Sequence, residues 1–255
     1  MNTIEMIIQD SMKTMIFYGD SNTYGYDPRF YIPGRYPKGV RWTSIVEQCF
    51  VSKARVVAAG ENGRSIPRKN SIEEKLLWKL LEKETPVDLL SIMLGSNDML
   101  LYNASAETVA RRMETLIERL RNRTSKVTNL SILLVAPVML KYCKMEKSQL
   151  RTCNEMKTCD EIRTCDEIET CDEKGGERFQ EAGSLFTEDA VARYQQEAKS
   201  LGRRYKEIAE KYSCFYMDAN EWGIALGHDH VHFSEEGHRT YGEKMVQLVK
   251  EILEI

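Results

Sequence analysis

No apolar run in this sequence is long enough to cross a bilayer as a helix. There is no basic excess either. Lysine and arginine number 36 against 39 aspartates and glutamates, for a net charge of −3. That balance argues against a nucleic acid or an anionic membrane surface as partner. The first residues, Met1 to Lys13, lack a basic stretch, carry Glu5 and Asp10, and hold only a short apolar patch at Met6-Ile7-Ile8. No secretory leader is expected from them, and a cytoplasmic location is. No CxxC pair is present, so a zinc clamp of the common kind is not expected.

Cysteine is nevertheless not scarce, and four of the seven fall in one segment. Cys153, Cys159, Cys165 and Cys171 head the hexads TCNEMK, TCDEIR, TCDEIE and TCDEKG. A six-residue period turns successive cysteines to different faces of a helix. The segment is rich in charge and poor in large apolar groups, as in a solvated insertion. Cys49, Cys143 and Cys214 sit in or beside apolar runs and read as small core residues.

Outside that segment, strand-like apolar runs alternate with helical periodicity. The runs are Met15–Tyr18, Ala54–Ala59, Val87–Leu94, Leu130–Val138 and Cys214–Met217. Helices are predicted over Trp42–Val51, Ser71–Glu84, Ser105–Arg123, Thr187–Tyr212 and Ser234–Leu253. Ser71 followed by Glu74 has the spacing of a capping box. Continuous apolar strands separated by helices imply a parallel sheet covered on both faces. The fold class expected is α/β, a three-layer α/β/α sandwich whose five-stranded parallel sheet has flavodoxin-like order. The expected organisation is one domain over 1–255, with the repeat inserted at about 147–175.

Four short motifs could carry chemistry. Gly19-Asp20-Ser21-Asn22 follows the first strand, at the sheet edge where ligands bind in open α/β folds. Ser21 there could be a nucleophile at a helix N-terminus, or Asp20 and Ser21 could simply cap the helix. Gly60-Glu61-Asn62-Gly63-Arg64-Ser65 follows the second strand, as a turn or as a backbone that a ligand can approach. Gly95-Ser96-Asn97-Asp98 follows the third, where Asn97 offers an amide donor or an Asx turn. After the fifth strand comes His228-Asp229-His230-Val231-His232. If extended, it would put His228, His230 and His232 on one face as metal ligands. Alternatively, Asp229 could orient His232 across one turn as an acid–base pair.

In this order, GDS, GENGR, GSND and DxxH form a pattern that resembles the SGNH (GDSL) hydrolases. GDSNTYGYDP, the Arg41-Trp42 pair and NGRS make the sequence most similar to the bacterial arylesterase and acyltransferase-like members. The likeness runs from about Met12 to the C-terminus, leaving out the cysteine repeat. It implies a serine esterase with no cofactor and no metal, acting on a small-molecule ester. Ser21 would be the nucleophile, His232 the general base and Asp229 its partner. The N–H groups of Ser21 and Gly63 and the amide of Asn97 would form the oxyanion hole. A small acyl group such as acetyl is the implied substrate part, with acyl transfer as a companion activity and a homo-oligomer as the implied assembly. Departures lie at His230 and Ile66, where the family commonly has a small residue and Thr. Tyr24, Tyr26 and Trp42 are candidates for the pocket entrance. Two other readings stand beside this one. One is a metal-dependent hydrolase on His228, His230 and His232, and the other is a catalytically inactive binding module.

Overall fold

The computed structural model describes residues 12–29, 34–124, 130–140 and 188–255. The chain divides into two compact units, Met1–Leu140 with Tyr194–Ile255, and Lys141–Arg193. The cysteine repeat and Cys143 lie outside the described residues.

The first unit is built on five parallel strands. They are β1 (Lys13–Gly19), β2 (Ala54–Gly60), β3 (Leu89–Met93), β4 (Ser131–Ala136) and β5 (Phe215–Asp218), in spatial order β2-β1-β3-β4-β5. The helices are α1 (Ser21–Tyr24), α2 (Trp42–Cys49), α3 (Ile72–Glu84), α4 (Ser96–Leu100), α5 (Ala106–Thr124), α6 (Glu188–Lys211) and α7 (Glu235–Leu253). Of α6, the part from Tyr194 on belongs to this unit. A single 3-10 turn, Ala219–Trp222, follows β5. Both the α/β class and the strand order match the expectation.

Strand geometry explains the layering. Successive side chains point to opposite faces, so an all-apolar strand feeds two cores at once. Ile16 and Tyr18 of β1, Leu90 and Ile92 of β3 and Ile132 and Leu134 of β4 pack with α3, α5 and α6. Their neighbours Met15, Phe17, Leu89, Met93, Leu133 and Val135 pack with α2 and α7. Helix α5 meets the first core with Val109, Met113, Leu116, Ile117 and Leu120, a stripe at three- and four-residue spacing. Truncating any one of its large members to alanine costs about 2–5 kcal/mol.

Helix α3 starts as its sequence suggests, with Ser71 Oγ accepting from Glu74 N at 3.2 Å. The reciprocal half of the box is replaced. The Glu74 carboxylate takes the N–H of Asn70 at 2.7 Å and both arms of Arg119 on α5, at 2.5 and 2.9 Å. Glu74 thus spends its charge joining two helices. The cysteines depart from expectation, because Cys49 ends α2 on its exposed side and Cys214 is only half-buried.

Register decides where the site forms. Gly19 pairs with Gly60 on one side and Met93 on the other, so β1, β2 and β3 stop at one level. The segments that follow these strands leave from the same sheet edge. Gly60 is needed there for close approach, since a Cβ on it would run into the backbone of Tyr24.

Candidate active site

The turn after β1 uses Asp20 as the cap of α1, with Oδ1 accepting from Asn22 N at 3.0 Å. Gly25, in the left-handed region at φ 85, closes the helix and donates to Ser21 O at 2.9 Å. Capping therefore falls to Asp20, and Ser21, the first helical residue, keeps its hydroxyl for another partner. That partner is His232, whose Nε2 lies 2.9 Å from Ser21 Oγ. On the far side of the ring, Nδ1 lies 2.5 Å from Asp229 Oδ2. The other oxygen of Asp229 accepts the N–H groups of Val231 at 3.1 Å and His232 at 3.0 Å. One carboxylate thus shapes the loop and aims the ring. Burial raises the Asp229 pKa, but the bonds from His232 and the loop N–H groups outweigh it and hold the carboxyl below its usual range.

The histidine loop is not extended. Leu226 and Phe233 form an isolated antiparallel bridge, and Gly227 N donates to His232 O at 2.7 Å. His230 turns the chain at φ 58. The alternation of histidines therefore does not align them on one face, as a metal site built on His228, His230 and His232 would need. Among the described residues no three His, Cys, Asp or Glu side chains come together as candidate metal ligands. His238, the fourth histidine, is structural. It is fully buried on α7 against Tyr36 and Phe233, and its Nδ1 faces Trp42 N at 3.4 Å. Burial pushes its pKa down to about 3.

The other two motifs meet each other. Asn97 leaves β3 in the first turn of α4, and its Nδ2 donates to Arg64 O at 2.9 Å. An amide nitrogen carries two hydrogens, so this bond fixes the group without exhausting it. Gly63 turns the neighbouring loop at φ +73 with open space where a Cβ would stand, a conformation that costs glycine little. Asp98 pins the same loop from beneath. It is fully buried and accepts Ile66 N at 2.9 Å and Arg112 Nη1 at 2.8 Å. The Arg64 side chain turns inward over the Tyr18 ring at 4.2 Å. It donates to Gly19 O at 2.9 Å and to Ala59 O, tying the ends of β1 and β2.

Three residues that the sequence reading left without a role are Asn22, Arg64 and Asp98. All three lie inside its motifs, and that position was the only available signal. Of the entrance candidates, Tyr26 sits at the site, its ring 4.4 Å from that of His232. Tyr24 lies half-buried beneath Arg35 at 4.0 Å. Trp42 does not line an entrance. It is buried edge-on between Phe17 and Tyr241, and its indole N–H goes to Asn22 O at 2.9 Å.

Asp20 is the electrostatic oddity. Burial drives its pKa up to about 6, against the lowering pull of the Asn22 N–H and of His232. A hydroxyl, an imidazole and a carboxylate in series can move a proton off oxygen and hold the resulting cation, which is the chemistry of nucleophilic acyl transfer.

Comparison with known proteins agrees with this chemistry. The profile of the GDSL-like Lipase/Acylhydrolase family matches residues 15–245. No curated protein sequence matches the chain. Among solved structures, a carbohydrate acetylesterase family member from Sinorhizobium meliloti superposes with a TM-score of 0.67 at 25% identity. That match covers 96% of this chain and 100% of the other. An aryl esterase from M. smegmatis (TM-score 0.66, 21% identity, 94% and 99% coverage) shares the fold. So does a putative arylesterase from Agrobacterium tumefaciens (TM-score 0.66, 21% identity, 94% and 100% coverage). With the profile spanning nearly the whole of the sheet and its helices, the chain belongs to the GDSL-like lipase/acylhydrolase family and is a carboxylic ester hydrolase.

Proposed function

We propose that this enzyme removes small acyl groups, acetyl foremost, from alcohol, aryl or sugar oxygens through an acyl intermediate on Ser21. The observation that carries the reading is the unbroken chain from Ser21 Oγ to His232 to Asp229 at the sheet edge. His232 Nε2 takes the Ser21 proton as Oγ attacks the ester carbonyl. The C=O pair moves onto oxygen, and that oxyanion falls among the N–H groups of Ser21 and Gly63 and the Asn97 amide. Each such donor lowers the barrier by about 3 kcal/mol. The imidazolium, held by the Asp229 carboxylate, returns its proton to the departing alkoxide. Water then repeats the sequence on the acyl-serine, giving the carboxylic acid and free Ser21. An alcohol in the place of water gives a new ester, so acyl transfer belongs to the same proposal.

Acetyl is preferred on two grounds. The S. meliloti neighbour is described as a carbohydrate acetylesterase family member. Tyr26 also stands against His232, close to where an acyl group must enter. None of the chemistry is assigned to residues 147–175. The test is a panel of aryl esters from acetyl to octanoyl, with acetylated sugars, run beside Ser21→Ala. Highest kcat/KM at acetyl, lost in the variant, is the expected result. A maximum at octanoyl contradicts the acyl preference, and full turnover by Ser21→Ala contradicts the nucleophile.

A further inference from the structure

We infer that Asn22 is a positioning residue whose side-chain amide clamps the base-bearing loop onto the helix that carries the nucleophile. The inference rests on the triad reading above and extends it to a residue with no role in bond making. Helix α1 has only four residues, so little within it resists displacement. The loop that carries His232 belongs to no strand of the sheet. Two such pieces need a direct tie if Ser21 Oγ and His232 Nε2 are to stay at 2.9 Å.

Asn22 supplies that tie with both ends of its amide. Oδ1 accepts the N–H of Phe233 at 2.8 Å, and Nδ2 donates to Val231 O at 3.4 Å. Val231 and Phe233 are the neighbours of His232 on either side. The catalytic histidine is therefore bracketed by one side chain, adjacent in sequence to the serine it serves. Asn22 is fixed in turn through its own backbone. Its N–H is taken by Asp20 Oδ1, and its carbonyl accepts the indole N–H of Trp42. Trp42 N–H faces Nδ1 of the buried His238 on α7. A line of hydrogen bonds thus runs from the core between α2 and α7 to the peptide groups flanking His232.

Only an amide fits this place. Leucine has its shape but neither polar atom. A carboxylate keeps the acceptor toward Phe233 N but presents a second acceptor to the Val231 carbonyl. It also adds a negative charge beside the imidazole. The titratable groups facing that ring are Asp229 from its own loop, Asp20 and Tyr26 from the β1 end and α1 turn, and His238 from α7. All of them stay in the variants.

The experiment measures kcat and KM for p-nitrophenyl acetate between pH 5 and 9, per site titrated with a fluorophosphonate. The proteins are the wild type, Asn22→Leu and Asn22→Asp. Misplacing a reacting pair by about 1 Å costs about 10²-fold. Asn22→Leu is therefore expected to lose kcat by about 10² per titrated site, with KM within about threefold. Asn22→Asp is expected to raise the pH midpoint of kcat by about half a unit or more, because the new charge favours the imidazolium. A residue that only supported the fold would lower the number of titrated sites and leave both readouts where they were. Wild-type kcat per site in Asn22→Leu together with an unmoved midpoint in Asn22→Asp overturns the inference. If Asn22→Leu does not fold, the Asn22→Asp midpoint decides alone. A wild-type enzyme that the fluorophosphonate does not label overturns the triad reading itself, whatever the variants do.

Discussion

The two halves of the site are held by different forces. On the side of the proposed nucleophile, Ser21, Gly63 and Asn97 follow β1, β2 and β3, whose register is locked, and β1 and β3 are buried on both faces while β2 forms the half-buried sheet edge. Beneath them lie the fully buried Asp98 and the inward-turned, half-buried Arg64. On the base side, His232 rides a turn anchored at one end by the buried Phe233, but the turn itself, Gly227 to His232, is half-buried or exposed and is shaped by the hydrogen bonds of Asp229 and Asn22. Burial resists displacement through many small contacts, whereas a hydrogen-bonded turn depends on a few groups. Changes in the support of the first half should therefore cost stability. Changes in the second should cost turnover with little loss of fold.

The sharpest test of that division is Asp229→Asn. It leaves the size of the side chain unchanged and removes the charge that stabilises the imidazolium. A fall in kcat of about 10⁴-fold is expected, with a melting temperature close to wild type. Equal losses in turnover and stability would erase the contrast. Asn97→Ala should lower kcat by about 10²- to 10³-fold with a smaller change in KM, as its proposed role as donor to the developing oxyanion requires. An effect on KM alone would make Asn97 a substrate contact.

Asp98→Ala tests the other half. It strips the partner from Ile66 N and from Arg112 in a buried place, and a loss of about 2–4 kcal/mol in denaturant unfolding is expected. A neutral result would mean that the loop before α3 does not need its anchor.

Asp20 gives a pH-dependent version of the same test. Its folded pKa, about 6, lies above the ordinary aspartate value of 3.8. Between those values the folded state binds more proton than the unfolded one, so this group lowers stability as pH rises and carries its full cost above pH 6. Asn keeps the cap to Asn22 N without the charge. Asp20→Asn should thus be more stable than wild type at pH 7 to 8, by up to about 3 kcal/mol. The gain should vanish near pH 3.5. A gain that persists at low pH would point to a cause other than ionisation.

The smallest effect belongs to the segment outside the described residues. Replacing residues 147–175 by a short Gly/Ser linker should leave kcat/KM within a few-fold, since loop closure entropy grows only logarithmically with length. A change in acyl preference or in subunit count by light scattering would give that insertion a role.

Most of the frame was legible because it is periodic. The five apolar runs became β1 to β5 within a residue or two at most ends, and Ser71 and Ser234 cap α3 and α7. The four motifs were legible as places where glycine and polar residues interrupt that periodicity, and Ser21, His232 and Asp229 meet in one hydrogen-bonded chain. The supports were not legible. Asn22 reaches Val231 across 209 residues of sequence, and no local pattern encodes such a bond. Alternating histidines resemble a strand, yet Asp229 collects two N–H groups of its own turn and folds them away from that geometry. Trp42 looked like a pocket aromatic because its exposure depends on Phe17 and Tyr241, which arrive from β1 and α7, far away in sequence. The short helix α4 and the 3-10 turn at Ala219–Trp222 are too brief to show a period.

The most direct measurement is peptide mapping by mass spectrometry after reaction of the intact protein with a fluorophosphonate. One adduct is expected, on Ser21, because His232 Nε2 at 2.9 Å can take the hydroxyl proton as Oγ attacks. It should be absent from Ser21→Ala and strongly slowed in Asp229→Asn. An adduct on another residue, or equal labelling of Ser21→Ala, would contradict the assignment of Ser21, His232 and Asp229 as the working triad.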